Sequence, residues 1–181
     1  VGRALETFGF VSVSGHGVPE ALVAAAYGAA RALFALPDEL LRRYERPEIA
    51  RQRGYTPLYR ERAKDGIGAD LKAFWHVGRE PSPGLDAHPA LPPNTFPDDL
   101  MPAFAPAMRA LFGALEGFAL ALLDVVALYL GVEARTFRDL TRDGNSVLRV
   151  INYPDLDGPP PVGAVRAAAH EDISLLTVLP A

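Results

Sequence analysis

The sequence predicts an α+β protein with helices first and strands last. Three observations carry this. Leu22, Val23, Ala26, Ala30, Leu33 and Phe34 recur at helical spacing and form one apolar stripe. A second, longer apolar run covers 103–130 and stops at Gly131, a natural helix terminator. Segments rich in β-branched residues follow: V-L-R-V-I-N-Y at 147–153, then 164–170 and 173–179. Helical runs succeeded by strand runs are the mark of the α+β class.

The elements read in order as follows. Residues 7–14 (T-F-G-F-V-S-V-S) read as an opening strand, and Gly15-His16-Gly17 turns the chain. Pro19 suits the start of a helix over 20–36, which Pro37 ends. A short helix is expected over 38–44. Residues 45–70 are polar and arginine-rich, with Gly54, Gly66 and Gly68, and read as an irregular loop. Residues 71–77, with Phe74 and Trp75, read as a strand. Six prolines between Pro81 and Pro97 make 81–97 an extended connector. The long helix over 103–130 comes next, then a short helix over 134–140 and the terminal strands. The sequence divides into an N-terminal region, 1–97, and a region 98–181 that holds the long helix and the first strands of a sheet.

Composition narrows the function. The chain has 181 residues, 49% of them hydrophobic and 22% charged, which suits one packed domain or one domain plus part of another. The net charge is −4, with no block of like charge. Electrostatics therefore give no support to a nucleic-acid or anionic-membrane partner. The apolar stretch 117–130 contains Asp124, is too short to span a bilayer and reads as a buried helix. With no cysteine, disulfides, thiolate metal sites and a cysteine nucleophile are excluded, and any metal must be held by His, Asp or Glu. Residues 1–14 lack a signal-peptide pattern, so a cytoplasmic protein is expected. The apolar run just before Ala181 suggests a chain that continues, so a longer parent protein is expected.

His170 and Asp172 are the residues best suited to metal chemistry. On a strand, positions i and i+2 share a face, so imidazole and carboxylate would converge while Glu171 points away. Such a pair supplies two of the three ligands in a 2-His-1-carboxylate iron site, which leaves positions open for cosubstrate and dioxygen. A solvated or capping histidine is the plainer alternative. Arg149 and Tyr153 share one strand face by the same alternation, and a surface salt bridge is an alternative role for Arg149. The other histidines read differently: His16 as part of a turn, His76 as a packing residue or a substrate contact, and His88 as solvated.

Several segments, in order, resemble the isopenicillin N synthase-like family of Fe(II)- and 2-oxoglutarate-dependent oxygenases. They are Gly9-Phe10-Val11-Ser12-Val13-Ser14-Gly15-His16-Gly17-Val18, Leu33-Phe34-Ala35-Leu36-Pro37, Gly54-Tyr55-Thr56-Pro57, Asp70-Leu71-Lys72-Ala73-Phe74 with Gly78-Arg79-Glu80, Asn94-Thr95-Phe96-Pro97, Asn152-Tyr153-Pro154, and the run from Ala169-His170-Glu171-Asp172 to Thr177-Val178-Leu179. The resemblance implies a partial double-stranded β-helix (jelly roll) with an N-terminal helical layer and a long backing helix. It implies His170 and Asp172 as iron ligands, with Tyr153, and Arg149 on the same face, toward 2-oxoglutarate. Where many plant members have an asparagine two residues before that tyrosine, this chain has Ile151.

In the family the second histidine and the arginine that grips 2-oxoglutarate come later than the segment matched here. The 181 residues alone are therefore expected to be inactive, and the intact protein to oxidise a small molecule with dioxygen by hydroxylation, desaturation or cyclisation. A carboxylate at 172 argues against a halogenase, whose relatives carry a small residue there. Two alternatives stand beside this: an isopenicillin N synthase-like Fe(II) oxidase without 2-oxoglutarate, and a non-catalytic binding module.

Overall fold

Two long helices cover one face of a three-stranded antiparallel sheet in the computed structural model, which describes residues 1–62, 68–80 and 91–180. The helices are α1 (Gly2–Phe8), α2 (Glu20–Phe34), α3 (Asp38–Leu41), α4 (Phe104–Tyr129) and α5 (Thr136–Leu140). The strands are β1 (Gly54–Thr56), β2 (Ala73–Gly78) and β3 (Val147–Asn152), in the order β1-β2-β3. Short 3-10 turns at Arg42–Tyr44 and Pro47–Ile49 lead into β1.

The apolar stripe of α2 buries Ala26, Ala30 and Leu33 against α4, as its period requires. Pro19 sits at the N-cap of α2. In α4, Phe104, Ala105, Met108 and Leu111 are buried near the start and Leu123 and Ala127 near the end. At the centre lies Trp75, with no exposed surface. Its ring meets Phe104 edge-on at 5.4 Å and Tyr44 at 5.5 Å, and its indole N–H donates to the Thr95 carbonyl at 3.1 Å. A buried tryptophan needs that partner for its N–H.

Sheet alternation sorts the side chains. Ala73, Trp75 and Val77 of β2 and Leu148 and Val150 of β3 face the helices. Phe74, His76, Arg149 and Ile151 share the opposite face, with Phe74 opposite Ile151 and His76 opposite Arg149. Gly54 opens β1 at φ 76°, and a Cβ there would lie 2.3 Å from the Tyr44 carbonyl oxygen. Only glycine fits that approach.

Several expectations are corrected. Residues 7–14 form no strand: α1 runs through Phe8, and Gly9, at φ 71°, closes it with a bond to the Leu5 carbonyl. Ala4, Leu5 and Glu6 favour helix, and Phe8 and Phe10 stay exposed with no strand beside them. The loop over 45–70 contains β1, whose three residues, Gly54-Tyr55-Thr56, are too few to show a strand period. The strands over 164–170 and 173–179 are absent; the single ladder contact there is between Asp70 and Val165. A strand requires a hydrogen-bonding neighbour, and among the described residues these segments have none beyond that bridge. The stretch 117–130 is only half buried, since Val125, Leu128, Tyr129 and Leu130 are exposed. It also belongs to a 26-residue helix that is, by length and composition, long and apolar enough to cross a membrane. Here that helix packs along α2 and β2. Most of the proline-rich connector, including His88, lies outside the described residues.

Candidate functional site

His170 and Asp172 sit in irregular chain, yet their side chains face each other. His170 Nε2 is 3.5 Å from Asp172 Oδ1, and both side chains are more than half exposed. Local bonds aim them. The His170 Nδ1–H donates to the Ala168 carbonyl at 2.8 Å, which leaves the Nε2 lone pair free. The Thr177 hydroxyl donates to Asp172 Oδ2 at 2.7 Å, which leaves Oδ1 toward the histidine. Ser174 Oγ lies 2.9 Å from the same Thr177 hydroxyl. The pairing of the two side chains is thus produced by side-chain bonds within 168–177, not by the pleat of a strand. Among the described residues no group of three or more His, Asp or Glu side chains is arranged to hold a metal.

Two ties hold the chain leading to this pair. The Leu71 amide donates to the Val165 carbonyl at 2.8 Å, and Arg166 Nη1 donates to the Tyr153 carbonyl at 3.1 Å. Residues 165–166 are therefore fastened both to the entry of β2 and to the end of β3. Tyr153 lies one residue past β3 and is 41% exposed. Among the described residues neither Tyr153 nor Arg149 bonds to His170 or Asp172.

Arg149 belongs to a charged network on the sheet face opposite the helices, where it lies over the buried Phe74. Its Nη1 is 3.2 Å from Glu61 Oε1, the salt bridge that its strand position allowed. Its guanidinium also lies 4.5 Å above the Phe74 ring, and its Nε–H donates to His76 Nε2 at 2.8 Å. Glu61 in turn meets Lys72 Nζ at 2.7 Å, and Lys72 meets Asp70 at 2.9 Å. Burial works against the Lys72 ammonium, but the Glu61 and Asp70 carboxylates outweigh it and hold its proton above the ordinary lysine range. Burial, followed by the Arg149 charge, pushes His76 down to about 4.

The sequence reading missed a second cation. Arg53 is fully buried and donates to the Gln52 carbonyl and to Asn145 Oδ1, each at 2.7 Å. Among the described residues its Nε has no partner, and burial pulls its pKa down. It lies against Gly78: a Cβ on that glycine would stand 1.9 Å from the guanidinium carbon. Gly78 at the end of an apolar strand was the only local signal. Arg79, by contrast, is fully engaged with Glu116 and the carbonyls of Thr141, Arg142 and Gly144. A cleft of about 520 Å³ between α4 and α5 is lined by Arg79, Glu116, Arg138 and Asp139, and by none of His170, Asp172, Arg149 and Tyr153. His16 forms the expected turn, its Nδ1 accepting the Val18 amide at 3.1 Å.

Comparison with known proteins identifies the family. Residues 1–99 match the family described as non-haem dioxygenase in morphine synthesis, N-terminal. The validamycin A dioxygenase of Streptomyces hygroscopicus subsp. limoneus is 32% identical over 97% of this chain and 50% of its own length. Gibberellin 20 oxidase 2 of Oryza sativa subsp. indica is 30% identical over 99% of this chain and 44% of its own. A crystal structure of a 2OG-Fe(II) oxygenase family protein from Caulobacter crescentus superimposes with a TM-score of 0.76 at 35% identity, over 87% of this chain and 51% of that one. The chain spans about half the length of the curated relatives it matches. The match over residues 1–99, with relatives aligned along nearly all of the chain, places this protein in the non-haem, Fe(II)- and 2-oxoglutarate-dependent oxygenase family.

Proposed function

We propose that the whole protein is an Fe(II)- and 2-oxoglutarate-dependent dioxygenase that oxidises a small molecule, with His170 and Asp172 as two of its iron ligands. The observation that carries the reading is the aim of that pair. A histidine whose Nδ1–H is spent on a backbone carbonyl presents Nε2 as a fixed donor, the arrangement that metal-ligating histidines use. A carboxylate with one oxygen bonded to Thr177 and the other facing that nitrogen completes a nitrogen–oxygen donor set suited to ferrous iron. The third ligand is expected from residues beyond those described. Iron bound there supplies dioxygen activation, with 2-oxoglutarate as the co-reductant.

The chain's own residues have three tasks in this reading. His170 and Asp172 hold the ion, and Thr177 and the Ala168 carbonyl hold those two. The face of β2 and β3 opposite the helices, bearing Phe74, His76, Arg149 and Ile151, forms a wall of the reaction cavity, with Arg149 and Tyr153 toward the cosubstrate. Residues 1–97 form the N-terminal region, while 98–181 begin the jelly roll, with α4 as its backing helix and β3 as an early strand. The names of the relatives and the fit to the Caulobacter crescentus structure support this. The test is succinate formation by the full-length protein with Fe(II) and 2-oxoglutarate. It is expected to vanish in His170→Ala and in Asp172→Ala, and normal turnover in either variant would overturn the ligand assignment.

A further inference from the structure

We propose that His76 is a positioning residue for Arg149, and that the exposed guanidinium edge it holds takes a carboxylate on the sheet face opposite the helices. The inference rests on the oxygenase reading, which makes that face a cavity wall. His76 and Arg149 are direct cross-strand partners, and the Arg149 Nε–H reaches His76 Nε2 at 2.8 Å. A guanidinium has only donors, so Nε2 must accept, and the imidazole must carry its proton on Nδ1. Nδ1 has the matching acceptor, the Arg51 carbonyl at 3.1 Å. Both ring nitrogens are committed, and the ring cannot turn without breaking a bond.

Arg149 is fixed on three sides: by His76 at Nε, by Glu61 at Nη1, and by the Phe74 ring beneath it. Among the described residues nothing bonds to Nη2, and the side chain is 38% exposed. The outer edge, Nη1 and Nη2, is the edge that binds a carboxylate through two parallel bonds. The charged groups around His76 are Arg149 from β3, Glu61 from the loop before β2 and Arg53 from the approach to β1. Two of the three are cations, which disfavour a protonated ring. A hydrocarbon at position 76 would leave Arg149 free to swing toward Glu61, while a glutamine could still offer an acceptor oxygen.

A carboxylate could come from 2-oxoglutarate or from an acidic substrate, and the experiment separates them. Full-length, Mn(II)-loaded protein is titrated calorimetrically with 2-oxoglutarate, and separately with benzoate at saturating 2-oxoglutarate. His76→Leu and Arg149→Gln are expected to raise the Kd about tenfold in one arm, and His76→Gln to restore most of it. An effect in the first arm assigns the edge to the cosubstrate; an effect in the second assigns it to a substrate acid. Nitrogen-15 NMR of the wild-type protein is expected to show His76 protonated on Nδ1 and still neutral at pH 6. Unchanged Kd in both arms, or a doubly protonated His76 at pH 6, overturns the proposal. If the full-length protein forms no succinate, the oxygenase reading fails instead, while the NMR and benzoate arms still report on His76 and Arg149.

Discussion

Trp75 and Ile173 are large apolar residues in segments of similar strand character, and their surroundings are opposite. Trp75 has no exposed surface; Ile173 is fully exposed, as is Val162. The difference lies in partners. Trp75 sits on β2, which is paired on both sides and backed by α2 and α4. Ile173 belongs to a stretch whose backbone pairs with no strand among the described residues. A helix satisfies its own amides and carbonyls and needs a neighbour only for its apolar stripe. A strand needs a neighbour for its backbone as well. The helical layer therefore forms from the residues at hand, whereas 164–179 leaves Val165, Ile173, Leu175 and Leu179 in solvent and is shaped by side-chain bonds such as Thr177 to Asp172.

Four measurements would break or sharpen this contrast. The largest effect is expected from Trp75→Ala, which empties the centre of the core and should cost about 3–5 kcal/mol in chemical denaturation. A loss under about 1 kcal/mol would mean that the packed region is not the stabilising one.

The next is pH-dependent. His76 is held at about 4 in the folded chain against 6.5 for a free histidine. Between those values the unfolded chain binds a proton that the folded chain refuses, so stability present above pH 6.5 is lost as pH falls toward 4. The loss should approach roughly 3 kcal/mol, and His76→Gln should remove that slope.

Third, Gly78→Ala forces a methyl group into the buried Arg53 guanidinium and should cost about 1–3 kcal/mol. Pairing it with Arg53→Met should cost less than the sum of the two, the sign of a shared site. The smallest effect belongs to the other region. Ile173→Ser in the 181-residue chain should change stability by less than about 0.5 kcal/mol, as for an exposed position. The same change in a longer protein that covers Ile173 should cost several times more, measured by the same denaturation curve.

Part of the candidate site was visible from spacing, for a reason that also marks its limit. His170 and Asp172 stand two apart, and that alone suggested convergence. The structure brings them together through Ala168 and Thr177, on a chain that is not a strand. The expected proximity thus came with a local geometry other than the expected strand. Arg149 and Tyr153 were grouped by alternation along β3, but no one-dimensional pattern puts His76 beside Arg149. They are 73 positions apart, and only the register of β2 on β3 makes them neighbours.

By itself the sequence determined the elements with a short-range code. The stripe of α2, the run of α4 and the strand character of β2 and β3 are periodicities within a few residues, and backbone bonding in helices is equally local. Tertiary structure alone decided what depends on distant partners. It buried Arg53 beside a glycine, paired Arg149 with His76 and Glu61, made a strand of Gly54–Thr56, and made none of 164–179. Strand pairing and buried charge are settled by residues far away in the chain, and no window of sequence contains both sides of such a contact.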